Sequence, residues 1–324
     1  MMSKFGLPIV AALMMALITL FTFAAPGVAK SSSPTEAAVV AAMNLQRSGD
    51  SAKAIAAILP WAENGDAMAQ NALGVLYLGE ADGGANPEPN FPEALRWLSK
   101  ASAQRFAAAE GNMGNLYASG HGVPKDAKKA VRWYQLSTKH GDLEGQYNLA
   151  RAYQLGVGVL KNPKQAAALY KQSIDRGYLK SFHNLGVMHL IGDGIPKDKV
   201  EAQRLFQAAS DKGHASSTVA LGKIYYEHSD SASDQAKGVE LFRLAAQRGQ
   251  SLGAFNVGVA YRDGVGIGKD AIKSAVWFSI ASDMGDPDVL AEAKRIGGAF
   301  SPTDRAAAQA FIKICGETKL EKCD

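Results

Sequence analysis

Cysteine is almost missing from this chain, with two in 324 residues. That excludes a disulfide framework and a set of zinc thiolates. A charge of one sign is missing too. Lys and Arg number 35 against 31 Asp and Glu, an evenly spread net charge of +4. So small a balance does not point to nucleic acid or to an acidic substrate. The six His form neither H-E-x-x-H nor an i, i+4 pair, which leaves zinc catalysis without ligands. No Ser has Lys three residues after it, so a Ser-x-x-Lys acylation site is absent. What is present is apolar bulk, 47% of the residues, and 33 Gly. That composition belongs to a folded chain and not to a disordered one.

Residues 5–29 carry no charged side chain and follow Lys4. The run Ile9–Ala25 is rich in Leu, Met, Ile, Phe and Ala, and Gly27 and Ala29 supply the small residues of a cut after Ala29. This is the layout of a secretory signal peptide over 1–29, with a polar linker over 30–35. An uncleaved membrane anchor is the alternative, since the stretch is long enough to span. No Cys lies near the cut to take a lipid. The expected location is periplasmic or secreted, with membrane attachment only if the segment is retained.

The rest of the chain repeats. Leu73-Gly74, Met113-Gly114, Leu149-Ala150, Leu185-Gly186, Leu221-Gly222 and Val257-Gly258 recur, first after 40 residues and then every 36. Such a period is the mark of a repeat architecture and overrides a two-domain reading of the length. Three residues after each pair stand Tyr77, Tyr117, Tyr153, His189, Tyr225 and Tyr261. Nine residues before its second member stand Gly65, Arg105, Gly141, Gly177, Gly213, Gly249 and, in a seventh partial copy, Gly285. A second block reads Trp97-Leu98, Trp133-Tyr134, Leu169-Tyr170, Leu205-Phe206, Leu241-Phe242 and Trp277-Phe278, with small residues three before and four after.

Both blocks have helical spacing, so each copy is a helix A, a loop and a helix B. The Gly after helix B suits a helix C-terminus with positive φ. The loop reads Gly120-His121-Gly122-Val123-Pro124-Lys125-Asp126, and it returns at 156–162, 192–198 and 264–270. Asn90, Asp126, Asn162, Asp198, Asp234 and Asp270 are expected N-caps of helix B, and Glu93 and Glu201 are expected to complete capping boxes. The fifth copy, His228 to Asp234, has lost its glycines. The first copy instead carries four extra residues in 79–90. One hairpin cannot bury its apolar stripe alone, so the copies must stack.

These columns resemble Sel1-like repeats, the longer-looped relatives of tetratricopeptide repeats. The resemblance covers about residues 64–298. It implies an all-α fold, a right-handed α/α solenoid of six 36-residue repeats that binds other proteins. It implies no enzyme activity, no cofactor and no metal. Residues 36–63 read as a capping hairpin of the ordinary tetratricopeptide form. Residues 299–324 read as a C-terminal cap helix, starting at Ser301-Pro302, and a tail. Cys315 and Cys323 lie in that tail. In an oxidising compartment they either close a short loop or remain two thiols.

Two motif matches dissolve in the repeat. Gly249-Gln250-Ser251-Leu252-Gly253 fits G-x-S-x-G, but a helix B precedes it where a nucleophile elbow needs a strand. Gly264 to Asp270 looks like a phosphate loop but is one residue short and lacks the hydroxyl. Its sisters show it to be the A–B connector.

In related solenoids the A helices line the concave face. The residue before the Leu-Gly pair is Asn112, Asn148, Asn184 and Asn256, broken by Ala72 and Ala220. In tetratricopeptide domains the matching position often contacts a peptide. An amide both donates and accepts, so a column of them suits an extended backbone. The neighbouring column, Tyr147, His183, Val219 and Phe255, offers aromatic anchors. The alternative is that the Asn side chains only bond between repeats. The partner is thus another protein, exported or the periplasmic domain of a membrane protein, and not nucleic acid. Similar exported Sel1-like proteins of Gram-negative bacteria regulate exopolysaccharide synthesis or scaffold polysaccharide secretion. The competing class, an enzyme acting on cell wall or β-lactams, requires a nucleophile and base that the sequence does not display.

Overall fold

In the computed structural model, residues 33–79, 89–227, 231–298, 301–303 and 306–308 are described. The expected signal peptide, the tip of the first loop, most of the C-terminal cap helix and both cysteines lie outside them. Among the described residues there are fifteen α-helices and no strand. No helix among them is long and apolar enough to cross a membrane. Helices α1 (Pro34–Arg47) and α2 (Ser51–Glu63) form the first hairpin. The repeats follow as α3 (Ala67–Tyr77) with α4 (Phe91–Ala103), α5 (Ala107–Ser119) with α6 (Ala127–Lys139), and α7 (Leu143–Leu155) with α8 (Pro163–Asp175). Next come α9 (Leu179–Ile191) with α10 (Lys199–Asp211), α11 (Ala215–Glu227) with α12 (Ala232–Gln247), and α13 (Ser251–Asp263) with α14 (Ala271–Asp283). Helix α15 (Pro287–Gly298) is the helix A of a seventh copy. The fold is an α/α solenoid. It divides into two compact units, one ending at Tyr178 and the other beginning at Leu179.

The helix ends follow from local chemistry. Asn90, Asp126, Asn162, Asp198 and Asp270 each accept the backbone N–H three residues on. Each also closes its loop, donating its own N–H to the carbonyl of Tyr77, Tyr117, Tyr153, His189 or Tyr261. Two expectations fail. Helix α12 begins three residues early, with Ser231 as its N-cap, so Asp234 lies in the first turn instead of capping it. Without glycines to take positive φ, the residues that form loop in the sister copies continue as helix. The carboxylates of Glu93 and Glu201 do not complete capping boxes but pair with Arg96 and Arg204 at i+3. A capping box occurs instead at Ser33 and Glu36.

The Gly column after helix B has positive φ throughout, and Arg105, which interrupts it, takes φ 60 all the same. The Gly of each Leu-Gly pair faces the second residue of the block in helix B. A Cβ on Gly74, Gly114, Gly186, Gly222 or Gly258 would lie 2.5–3.1 Å from Leu98, Tyr134, Phe206, Phe242 or Phe278. The missing side chain thus lets the two helices approach, and the large residue fills the space. Phe206, Phe242 and Phe278 are almost wholly buried as a result, and so are Trp97, Tyr170 and Trp277 of the same blocks.

Helices A and B differ in setting. Within a unit each helix packs on its chain neighbours. In addition α1 touches α3, α5 touches α7 and α13 touches α15, while no two B helices approach to the same extent. The A helices therefore form the closer-packed layer.

Candidate functional site

Helices α5 and α7 each leave a part-exposed stripe, whereas residues 69–76 of α3 are all buried. On α5 it holds Asn112 and Asn115; on α7, Asn148 and Arg151, the latter exposed. The asparagines are paired across repeats. Asn112 Nδ2 donates to Oδ1 of the buried Asn71 at 2.9 Å, and Asn148 Nδ2 donates to Asn115 Oδ1 at 3.1 Å. Tyr134 Oη donates to the same Asn115 oxygen at 2.9 Å. These bonds fix the amide planes without exhausting them. An amide has two donors and an acceptor. The carbonyl oxygens of Asn112 and Asn148 and the nitrogen of Asn115 make no further side-chain bond among the described residues.

The later columns differ. Asn184 is half-buried and engaged. Asn256 Nδ2 is enclosed without an acceptor. The position that holds Asn115 in the second repeat holds Lys223 in the fifth, which can only donate. The aromatic column packs inward on helix B of its own repeat. Tyr147 lies against Tyr170 and Tyr178, at 5.8 and 5.5 Å between ring centroids. His183 lies 5.6 Å from Phe206, and Phe255 meets Phe278 edge-on at 5.3 Å. All three stay half-buried. The structure thus brings Asn112 and Asn148 to one polar stripe, whereas Tyr147, His183 and Phe255 each pack on helix B of their own repeat.

Two features escaped the sequence reading. The first is a polar strap between the end of helix B and the start of the helix A before it. Gln104 donates to Gln70 Oε1 at 2.9 Å and to the Gly65 carbonyl at 3.0 Å. His140 Nδ1 meets the buried Glu110 carboxylate at 2.7 Å. Arg176 reaches the Gly141 carbonyl, and Arg248 reaches Thr218 Oγ1 and the Ser210 carbonyl. The signal was there in the polar residue that precedes Arg105, Gly141, Gly177 and Gly249; its partner is visible only in three dimensions.

The second feature is a histidine pair. His214 precedes α11, and its Nδ1 accepts the Ser217 backbone N–H at 3.2 Å, acting as an N-cap. Ser217 Oγ stands 2.8 Å from that nitrogen and 3.2 Å from Nδ1 of His183 on α9. The two rings are 5.5 Å apart. Burial, and then the charge of His214, push His183 down to about 4. Burial, and then Lys180, push His214 down as well. Both are neutral at pH 7, with no carboxylate to orient them as a base. Ser251 of the G-x-S-x-G match is the buried first residue of α13, and a Cβ on Gly253 would press against the backbone of α12. No group of three His, Cys, Asp or Glu among the described residues can hold a metal.

Six consecutive segments match the Sel1 repeat: residues 67–106, 107–142, 143–178, 183–214, 215–250 and 251–286. No curated protein matches the chain. Among solved structures it is similar to a protective antigen present in uropathogenic Escherichia coli strains displaying an SLR fold. The identity is 26% and the TM-score 0.61, over 82% of this chain. The chain spans 58% of that protein's length. It is also similar to a Sel1 repeat protein from Oxalobacter formigenes. There the identity is 24% and the TM-score 0.64, over 75% of this chain and 96% of that one, a likeness in fold.

Proposed function

The chain belongs to the Sel1 repeat family, and from that premise we propose an exported adaptor or regulator that grips a partner protein on the stripe of its A helices. Sel1 repeat proteins are typically non-enzymatic scaffolds that bind other proteins. The observation that carries the present reading is the paired asparagines of α3, α5 and α7. The buried Asn71 holds Asn112, and Asn115 holds Asn148, so that the part-exposed Asn112, Asn115 and Asn148 keep amide groups unspent. Such a row suits the alternating N–H and C=O groups of an extended segment. Pre-set amides reduce the ordering cost of binding. The uncharged run 5–29 and the Gly27/Ala29 pair support export, and with it a periplasmic or secreted partner. The resemblance to Sel1-like repeats extends the proposal to regulation or scaffolding of exopolysaccharide or other cell-envelope processes.

A photo-crosslinking residue at position 151, in intact cells, tests this. The expected product joins the chain to an exported protein or the outer domain of a membrane protein. It should be lost in Asn115→Ala/Asn148→Ala with helicity unchanged. Undiminished crosslinking in that double variant would make the column purely structural. Full-length chain found only in the cytoplasm would refute export.

A further inference from the structure

The A–B loops do more than connect. The second glycine of the loop sits on the first turn of the preceding helix B. A Cβ on Gly122 would lie 2.5 Å from Phe91 Cβ and 3.2 Å from Leu95, and one on Gly266 would lie 2.6 Å from the Gln235 carbonyl. A Cβ on Gly158 would overlap the Ala127 carbonyl. All three glycines have φ of 69–73°. Each loop is therefore a plug whose fit demands glycine for both conformation and space. Beneath these plugs Phe91, Ala127 and Gln235 are half-buried.

The fifth repeat has no glycine at the loop positions, 228–234. Only three residues separate the end of α11 from Ser231, the cap of α12. The matching seat is the first turn of α10. There Lys199 is exposed where Phe91, Ala127 and Gln235 are half-buried, and Val200 is exposed as Pro92 and Lys128 are. An open cleft of about 560 Å³ runs along this helix, lined by Val200, Gln203, Arg204, Gln207 and Tyr225 among others. Tyr225 Oη accepts from Gln203 Nε2 and from Lys237 Nζ, both at 2.9 Å. Those two bonds leave the hydroxyl proton to donate toward a peptide carbonyl.

We infer that this cleft is a vacant plug seat, which takes a glycine turn from a partner protein: a glycine with positive φ followed by an aliphatic residue. The occupant follows from the sister seats, each filled by a turn of that kind from the chain itself. The seat belongs to the B layer and does not depend on the asparagine stripe.

The test uses the full chain and a cyclic peptide bearing Gly-His-Gly-Val-Pro-Lys-Asp, the loop of 120–126, followed by amide chemical shifts. Saturable binding is expected, with shifts centred on residues 199–208. Three changes should each weaken it at least tenfold. They are Val200→Glu, Ala in place of the peptide's second glycine, and transfer of that loop sequence onto positions 228–234, where it would plug the seat internally. Val200 is exposed, so its substitution leaves the fold intact. No saturable binding at millimolar peptide, or equal binding to the loop-transferred protein, would overturn the inference. So would a dimer that Val200→Glu dissociates, because a second copy would then be the occupant.

Discussion

Acid should loosen the fourth and fifth repeats, and the histidine pair sets by how much. His183 lies between Phe206 and His214, and His214 caps α11 through a nitrogen that must keep its lone pair. An imidazolium cannot accept the Ser217 N–H, and its charge opposes the positive end of the helix dipole. It would also face Lys180, which already disfavours the charged form of His214. The folded chain holds His183 at about 4, against an ordinary 6.5. Unfolded chain therefore takes up this proton first as pH falls. The neutral-state stability is intact above about 6.5, declines through the window down to about 4, and loses nothing more from this group below it. That gap corresponds to roughly 3 kcal/mol, of which about 2 kcal/mol is gone by pH 5.

The substitution that isolates the effect is His183→Phe. Phe already occupies this column at 255, edge-on to the equivalent Phe278. It preserves the contact with Phe206 and removes the titration. Hydrogen exchange of α9 and α11 amides at pH 7 and pH 5, corrected for intrinsic rates, reads the local stability. The wild type should lose protection between the two, and the variant should lose far less, with His214 responsible for the remainder. Equal losses in both proteins would refute the assignment.

Arg105 sits in a left-handed conformation that its sister glycines adopt freely. Arg105→Gly should stabilise the chain by about 1 kcal/mol, raising the urea midpoint. Gly222→Ala places a methyl 2.7 Å from the Phe242 ring and should cost about 2 kcal/mol by the same measurement. His140→Ala removes the hydrogen-bond partner of the buried Glu110 side chain and should cost about 2 kcal/mol. The double change Glu110→Gln/His140→Gln copies the Gln70–Gln104 strap and should recover most of that loss. Lys223→Asn offers an acceptor to Asn256 Nδ2 and should add about 1 kcal/mol, seen as slower exchange of α13 amides.

Much of the fold was legible because repetition averages over local ambiguity. The column glycines, the loop caps and the paired Gly and aromatic positions recur often enough to fix every helix A and helix B. The errors fell where a residue has two local partners to choose from. Glu93 and Glu201 can reach back to an N-cap N–H or forward to an arginine, and the charged partner at i+3 wins. Asp234 lost its capping role because Ser231 offers an earlier cap once the loop glycines are gone. The asparagine column was visible, but its geometry was not. The donor–acceptor pairing depends on which residue the previous repeat presents, and that neighbour lies 33 or 41 positions away.

The positions that break the repeat therefore say more than those that keep it. A conforming residue reports only that the copies stack. A departing one is read against a sister whose environment is known, so its consequence is specific. Arg105 in place of glycine stores backbone strain at an otherwise relaxed turn. His183 in place of an aromatic carries an ionisable group against Phe206 of helix B. The glycine-free fifth loop lengthens α12 and uncovers the seat on α10. Two of these three, at 183 and 228–234, lie in the fourth and fifth repeats, where an ionisable group and an open seat follow from single departures.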